Sequence, residues 1–417
     1  MDHRRAQKLM RIEILNTGSE LLLGSVLNTH VRLFAEALFP LGLRIQRQVT
    51  VPDGDAIRDA LAETFGRAEI VFVTGGLGPT TDDITRDIVA DLLGLRLEHD
   101  EEIWRQIEAR FARRSLPMSP RNKLQALRPP EATVLWNPHG TAPGLYLPAF
   151  AEKNSPHLFL LPGPPRELAP MVENYVVPTL ERVIPPQPHV EMRVWRTVGL
   201  GESLVEEMVG DALLALGAEL GYCARPGEVD LRIIGTPEQV RGAGAIIEAK
   251  LGANLISHDQ RTLEKVIVDL LTGRRETLAV AESCTGGAIA NRITNVPGAS
   301  AVFLAGYVTY ANEAKTSALG VDAALIREHG AVSEPVARAM AEGARAASGA
   351  DYALSTTGIA GPDGGSPEKP VGTVFVGVAA AHRTTQVEKL FFPTDRERFK
   401  ELVTQMGLDL LRRAIAS

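Results

Sequence analysis

The chain has 417 residues, of which 45% are hydrophobic and 23% charged, and its formal net charge is −7. This length exceeds what one compact core usually holds, so we expect two or three globular domains. The acidic balance lacks the basic footprint of a nucleic-acid-binding protein. The two cysteines, Cys223 and Cys284, are too few for a disulfide framework or a four-cysteine metal site.

The first residues, MDHRRAQKLMRIEIL, carry positive charge but no apolar segment of the kind found in secretory signals. We expect residues 1–9 to form a loose tail. No run of about 18 apolar residues is present to cross a bilayer. These features, with the low cysteine content, predict a cytoplasmic protein.

Short apolar strands alternate with helical patterns along most of the chain, which predicts α/β domains with largely parallel sheets. In the first third, RIEILNTG and EIVFVTGG are strands that end in glycine, and HLFLLPGPP (157–165) is a further strand. The proline-dense stretch PTLERVIPPQPHVE predicts a domain exit. After it, EMRVWRTVGL and VDLRIIG predict a small α+β connector, in which ARPGE (224–228) is the candidate ligand contact.

From residue 262 the alternation of strands and helices returns and continues to a last helix, predicted over 397–414. The fold class is therefore α/β, with two α/β domains joined by a small α+β connector. The predicted domains are 1–175, 176–258 and 259–417.

The densest motif of the first domain is VFVTGGLGPTTDDITRDIV (71–89), a strand followed by glycines and a helix start. Such a loop presents backbone N–H groups and a helix dipole to an anion, and phosphate fits this chemistry. The adjacent Asp82 and Asp83 could hold a divalent cation between protein and phosphate oxygens. The alternative is a glycine turn with ordinary helix capping. Two further loops, NPHGTAPG (137–144) and LPGPPRE (161–167), would gather at the same sheet edge.

AESCTGGAIA (281–290) sets Ser283 and Cys284 at a strand-to-helix turn. A serine there would combine a nucleophile with free backbone N–H groups for an oxyanion, although a capping serine beside a buried cysteine is equally compatible. The base candidates are Tyr310, placed at a strand end, and Lys315 in the following helix. His329 lies in REHGAVS, where we predict a loop. The glycine-rich segment 355–374 predicts either close approach to a ligand or a flexible surface loop.

The segments GSELLLG (18–24), TGGLGPTTDD (74–83), NKLQA (122–126), NPHGTAPG and LPGPPRE together closely resemble the CinA family of competence/damage-inducible proteins. The N-terminal domain is similar to molybdopterin-binding proteins of the MoaB/MogA type. The C-terminal motifs resemble the PncC type, a nicotinamide mononucleotide (NMN) amidohydrolase. His30 stands where the family usually has asparagine. The resemblance covers essentially the whole chain.

This resemblance implies a bifunctional pyridine-nucleotide salvage enzyme that acts on small nucleotides and forms a homodimer. The C-terminal domain would deamidate NMN with Ser283 as nucleophile, activated by Tyr310 and Lys315 and without a cofactor. The N-terminal domain would hydrolyse ADP-ribose with a divalent metal at Asp82 and Asp83. Ser300 and Thr357 would position the amide or the oxyanion, and Arg396 would meet the substrate phosphate.

The predicted substrate-binding residues are, in the C-terminal domain, Thr285, Gly286, Gly287, Ser300, Thr357, Gly358, Ala360, Gly361 and Arg396, and, in the N-terminal domain, Gly75, Gly76, Gly78, Pro79, Thr80, Asn137, Gly140, Thr141, Pro162 and Gly163. Two alternatives stay open at this stage. The N-terminal domain could be a nucleotide- or pterin-binding regulatory module without hydrolysis. The protein could also be a competence or DNA-damage accessory factor, although its acidic charge argues against direct nucleic-acid binding.

Overall fold

The structure is a computed structural model that describes residues 10–417. The tail predicted for residues 1–9 lies outside the described residues. The chain divides into two compact units, the first ending at His189 and the second running from Val190 to Ser417. The domain boundaries predicted at 175 and 258 stay predictions.

The first unit alternates strands and helices, and it includes the three strands predicted at RIEILNTG, EIVFVTGG and HLFLLPGPP. Its elements are β1 (Ile12–Thr17), α1 (Ser19–Leu22), α2 (His30–Leu38), β2 (Ile45–Val51), α3 (Ala56–Ala62), β3 (Ile70–Thr74), α4 (Thr85–Leu93), β4 (Glu98–His99), α5 (Glu101–Arg113), β5 (Leu127–Arg128), β6 (Thr133–Leu135), β7 (Gly144–Leu147), β8 (His157–Leu161), α6 (Pro165–Met171) and α7 (Val177–Val183).

Six of these strands form one sheet in the order β2-β1-β3-β8-β7-β6, in which β2, β1, β3 and β8 are parallel. The strands are apolar on both faces because each face packs against its own core. On β3, Phe72 belongs to one core cluster, whereas Val71 and Val73 belong to the other. This two-faced sheet gathers the loops after β1, β3 and β8 at one edge.

The second unit contains two sheets. Its elements are β9 (Glu191–Val198), α8 (Glu202–Leu214), β10 (Glu219–Arg225), β11 (Glu228–Gly235), α9 (Pro237–Leu251), β12 (Leu255–Ser257), α10 (Leu263–Arg274), β13 (Leu278–Glu282), α11 (Ala288–Thr294), β14 (Phe303–Val308), α12 (Asn312–Leu319), α13 (Ala323–His329), α14 (Glu334–Ser348), β15 (Tyr352–Gly358), β16 (Thr373–Ala380), β17 (Gln386–Phe391) and α15 (Arg396–Ala416).

The connector sheet has the order β10-β11-β9-β12 and is antiparallel, with α8 and α9 supplying the helical side of its core. The C-terminal sheet has the order β14-β13-β15-β16-β17, with β13 parallel to both of its neighbours. The predicted fold class, two α/β domains and a small α+β connector, is confirmed.

The connector and the C-terminal sheet share apolar packing. Val198 at the end of β9 and Ile256 on β12 belong to the same core cluster as Leu263, Leu354 and Leu408 of the C-terminal domain. Within residues 10–417, none of the helices has the length and apolar character needed to cross a bilayer.

One local prediction was wrong. His329 was expected on a loop, but it is the last residue of α13. The helix begins because the Asp322 side chain accepts a hydrogen bond from the Ala324 N–H at 2.7 Å, an N-cap signal that is present in the sequence.

Candidate functional site

A cleft of about 370 Å³ lies beyond the ends of β1, β3 and β8 in the first unit. It contains most of the predicted N-terminal site residues: Gly75, Gly76, Gly78, Pro79, Asp82, Asp83, Thr141, Pro162 and Gly163. Asn137 and Gly140 instead line a small neighbouring pocket of about 40 Å³, to which Thr141 also contributes.

The glycines in these loops are required by close backbone approach. Gly75 and Gly76 have φ values of 102° and 68°, in the left-handed region that favours glycine. A β-carbon on Gly76 would lie 2.1 Å from Thr85 Oγ1, and one on Gly140 would lie 1.9 Å from a carboxylate oxygen of Glu167. These loops therefore hold their backbone close to α4 and α6, which carry Thr85 and Glu167.

Asn137 organises the neighbouring loop. Its Oδ1 accepts from the N–H groups of His139 and Gly140 at 2.9 and 2.7 Å. Its Nδ2 donates to the Ala142 carbonyl at 2.9 Å and to Glu167 at 2.8 Å. The side chain predicted to bind substrate thus joins the loop 137–144 to the start of α6.

Asp83 also has a local partner. Its carboxylate accepts from the Thr80 N–H at 2.9 Å and from the Thr80 hydroxyl. Among residues 10–417, no three histidine, cysteine or acidic side chains come together in a way that could hold a metal ion. Mg²⁺ is commonly bound by only one or two carboxylates together with substrate phosphates. The residues present fit a cation of that kind, brought in with a diphosphate, and do not fit a preformed metal cage.

His30 joins two of the segments that form the cleft. Its Nε2–H donates to the Gly163 carbonyl at 2.7 Å, and its Nδ1 lies 3.0 Å from Thr74 Oγ1. Burial lowers the pKa of His30, so the neutral ring is favoured. The residue joins the end of β3 to the loop after β8, and this packing explains its presence without a ligand.

Five polar residues of the cleft had no predicted role: Thr17, Glu20, Asp53, Gln125 and Glu167. Three of them lie in segments that carry the family resemblance. Asp53 lies outside the predicted motifs, and only the fold brings it to the cleft. There its carboxylate accepts a hydrogen bond from the Ser19 N–H at 3.0 Å.

In the second unit, the opening turn of the C-terminal sheet brings Ser283 and Lys315 together. Lys315 Nζ lies 3.2 Å from Ser283 Oγ, 2.8 Å from the Thr309 carbonyl oxygen and 3.2 Å from the Tyr310 carbonyl oxygen. Carbonyl oxygens only accept hydrogen bonds, so they take two N–H bonds of the amine. The remaining position of a neutral amine is a lone pair, which faces the serine hydroxyl.

Burial favours that neutral amine. Lys315 is only 1% exposed, and removal from water is the main cause that lowers the pKa of its ammonium group. Within residues 10–417 its hydrogen-bond partners are two carbonyls and a hydroxyl, and the charges of Cys284 and Glu313 raise the pKa by less than burial lowers it. The pair can therefore move a proton from Ser283 Oγ to Lys315 Nζ.

Cys284 lies in a different environment from the adjacent serine. It is 5% exposed and belongs to the hydrophobic core. Burial raises the pKa of its thiol to about 12. A thiol in this state is a weak nucleophile at neutral pH, so the geometry favours the serine.

Glu282 is a residue whose role the sequence did not reveal. It is 0% exposed, and its carboxylate accepts from the N–H groups of Gly287 (2.9 Å), Ile289 (3.1 Å) and Ala290 (2.9 Å). The prediction that the helix start offers free N–H groups for an oxyanion was therefore wrong for these three groups. They are already bonded to a buried carboxylate that holds the turn in place.

We expect Glu282→Gln to destabilise the second unit and to weaken any chemistry at Ser283. The amide would set an NH₂ group against backbone donors, and a lost hydrogen bond to a buried charged group costs about 1.5–3 kcal/mol. Urea unfolding should show this loss, while Glu342→Gln, an exposed change on α14, should leave the midpoint unchanged. Equal midpoints for the two variants would contradict the positioning role of Glu282.

Tyr310 contacts the site differently from the prediction. β14 ends at Val308, two positions before Tyr310, whose side chain is 62% exposed. Its hydroxyl accepts from Arg396 at 2.9 Å, and Arg396 also donates to the Gly361 carbonyl at 2.9 Å. The structure thus groups Tyr310, Arg396 and Gly361, while only the backbone of Tyr310 contacts Lys315.

The other predicted residues surround these groups or support them. The Thr285 hydroxyl bonds to Thr356 at 2.8 Å, and the Thr357 hydroxyl donates to the Ala331 carbonyl at 2.8 Å. Gly358 ends β15, where a β-carbon would lie 2.8 Å from Val374. Ala360 packs in the core, and Ser300 is exposed in a 3-10 turn, Ala299–Ala301. Their predicted roles in binding stay predictions.

The fold and these sites define a three-part α/β protein with a glycine-loop cleft in its first unit and a serine–lysine pair in its second. Three family models match the chain: "Probable molybdopterin binding domain" over 13–182, "Damage-inducible protein CinA KH domain" over 192–254 and "CinA C-terminal domain" over 260–415. The chain belongs to the CinA family.

Relatives match along nearly the whole length. A CinA-like protein from Akkermansia muciniphila is 47% identical over 403 residues and is covered to 96%, as is this chain. A competence-damage inducible protein from Caldicellulosiruptor bescii is 43% identical, with 97% of this chain and 99% of the relative covered. The crystal structure of the competence/damage inducible protein CihA from Agrobacterium tumefaciens is 38% identical over 37% of this chain and 94% of its own, with a TM-score of 0.36.

Proposed function

We propose that the protein is an amidohydrolase that converts NMN and water to nicotinate mononucleotide and ammonia through a seryl ester. The observation that carries this proposal is the contact between Lys315 Nζ and Ser283 Oγ, 3.2 Å apart, with two carbonyls taking the N–H bonds of the amine. The family resemblance supplies the substrate.

The chemistry needs a nucleophile, a base and a path for one proton. Ser283 Oγ attacks the amide carbon, and its proton passes to Lys315 Nζ. Lys315 then gives this proton to the amide nitrogen, so that the C–N bond breaks and ammonia leaves. Water attacks the resulting ester, and its proton returns through Lys315 to Ser283 Oγ as the acid is released.

Arg396 is the candidate contact for the substrate phosphate. Its described partners, the Gly361 carbonyl and the Tyr310 hydroxyl, are both neutral, so its charge is left for an anion.

The direct test of the proposed deamidation is ammonia release from NMN by the purified full chain. Absence of ammonia release by folded protein would contradict the proposal.

We also propose that the first unit hydrolyses ADP-ribose to AMP and ribose 5-phosphate with a divalent cation. Asp82 and Asp83 would hold the cation together with the diphosphate, whose negative charge it would neutralise. The cleft described above and its glycine loops support the binding of a phosphate-bearing ligand. A second candidate is a module that binds a nucleotide without cleaving it, which is favoured by the bonding of the Asp83 carboxylate to Thr80 of its own loop.

Release of AMP from ADP-ribose by the unmodified chain separates these candidates, and Asp83→Asn tests the metal assignment. Asparagine keeps an oxygen that can accept hydrogen bonds from Thr80, so the loop should keep its conformation. Because the substitution removes the charge, metal-dependent AMP release should fall to a small fraction of the wild-type rate. Deamidation of NMN by the same protein should stay within a few-fold of wild type, because Ser283 and Lys315 belong to the other unit. Asp87→Asn, an exposed change on α4 outside the cleft, is the matched control. If chelators and Asp83→Asn leave AMP release unchanged, the metal assignment is wrong.

A further inference from the structure

A second cavity, of about 910 Å³, lies between the connector and the C-terminal helices α10, α11 and α15. Neither Ser283 nor Lys315 lines it. Its volume falls in the range of sites that bind a whole small molecule. The proposed deamidation makes no use of most of this space.

Charged pairs hold the walls of the cavity. Arg292 on α11 donates to Glu264 at 2.5 Å and to Gln405 Oε1 at 2.6 Å. Gln405 Nε2 in turn donates to Glu228 of the connector at 2.7 Å. These contacts satisfy two of the wall carboxylates and join four elements, α10, α11, α15 and β11, so the cavity is built before any ligand enters.

Two cations of the cavity remain uncompensated. Arg396 and Lys400 lie one turn apart on α15 and both line the cavity. Within the described part of the chain, neither is in an ion pair with a carboxylate, whereas Arg225 from the connector pairs with Asp230. Uncompensated cations in a concave site attract anions, and phosphate is bound well by such groups.

A buried hydroxyl without a hydrogen-bond partner lies on the same face of α15 as Arg396 and Lys400. Thr404 follows Lys400 by one turn, lines the cavity and is 2% exposed. Its Oγ1 makes no hydrogen bond to any described residue. Burying a hydroxyl without a partner is unfavourable, so a polar ligand would satisfy it.

The neighbouring row of α15 adds exposed carboxylates, Glu397 and Glu401. Carboxylates accept hydrogen bonds from sugar hydroxyls, as acidic residues do in nucleotide sites. Cations alone would suit an inorganic anion, but cations beside carboxylates and a hydroxyl suit an anion that also carries hydroxyl groups.

We propose that this cavity binds a sugar phosphate, with its phosphate at Lys400 and its hydroxyls at Glu397, Glu401 and Thr404. Arg396, at the edge of the same row, stays with the NMN phosphate proposed above, and Arg225 stays paired with Asp230. The site is separate from the serine–lysine pair and goes beyond the proposed deamidation. Its walls come from both the connector and α11, the helix that follows the serine turn. A ligand here would therefore contact both parts of the second unit.

The test is calorimetric titration of the full chain with ribose 5-phosphate, with ribose and inorganic phosphate as separate probes. We expect saturable binding of ribose 5-phosphate that is tighter than that of either probe alone. Lys400→Gln should weaken it at least about tenfold, the scale of one hydrogen bond to a charged group, and Thr404→Val should weaken it less. Arg398→Gln removes the same charge from the same helix outside the cavity and should leave the affinity unchanged.

Two further outcomes decide the matter. Binding at the N-terminal cleft would not respond to Lys400, so a titration that is equal in wild type and Lys400→Gln overturns the proposal, as does no saturable binding. In Lys315→Ala, which cannot turn over NMN, added NMN should not displace ribose 5-phosphate. Complete displacement would make the cavity part of the deamidase pocket and would overturn a separate site.

Discussion

Ser283→Ala should lower NMN deamidation by at least about a thousandfold, the scale seen when a catalytic nucleophile is removed. The serine hydroxyl contacts a buried amine, with Ser283 Oγ 3.2 Å from Lys315 Nζ. Initial rates of ammonia release measure the effect. Mass spectrometry of a trapped intermediate should place the added mass on Ser283.

Cys284→Ala is the matched control at the adjacent position. Its thiol lies in the core, and burial keeps its pKa near 12. The change should affect packing and cost far less activity than Ser283→Ala, and thiol alkylation should leave most activity intact. An adduct on Cys284, or full activity of Ser283→Ala, would overturn the serine mechanism.

Lys315→Ala should resemble the serine variant, because no other base among the described residues contacts Ser283 Oγ. The pH profile gives a sharper test. Burial lowers the pKa of Lys315, so the neutral form, which is the base, gains population at lower pH than in an ordinary lysine. Deamidation should rise with pH as Lys315 loses its proton, with the midpoint below the usual lysine range.

Lys315→Arg would keep the positive charge at every accessible pH, since an arginine side chain does not lose its proton in proteins. We expect this variant to be inactive across the profile while remaining folded by circular dichroism. An arginine variant with a wild-type pH profile would show that the proton goes to another group.

The sequence predicted the elements better than the contacts between them. Short apolar runs followed by glycine-containing turns located β1, β3 and β13, because both signals lie within a few residues of each other in the sequence. Ser283 and Lys315 could be paired only through the family resemblance, since the fold brings them together across 32 positions.

Other contacts left no local signal. Glu282 reads as an ordinary strand-end acid until its burial and its three backbone donors are seen. Tyr310 was predicted beside the base, yet its hydroxyl meets Arg396, 86 positions away in the chain. In the sequence, one row of α15 has the pattern of an ordinary helix face: Arg396, Lys400 and Thr404. The cavity that it lines cannot be predicted from the helix alone, because the opposite wall belongs to the connector.

The core that Val198 and Ile256 share with Leu263, Leu354 and Leu408 has a consequence for how the protein comes apart. A boundary drawn at residue 258 follows a change in fold type, but apolar packing continues across it. Heat or denaturant should therefore melt the connector and the C-terminal sheet in a single cooperative transition. A protease cut between them would leave the two pieces associated, and a fragment that begins after the connector would expose apolar surface that the intact chain keeps from water.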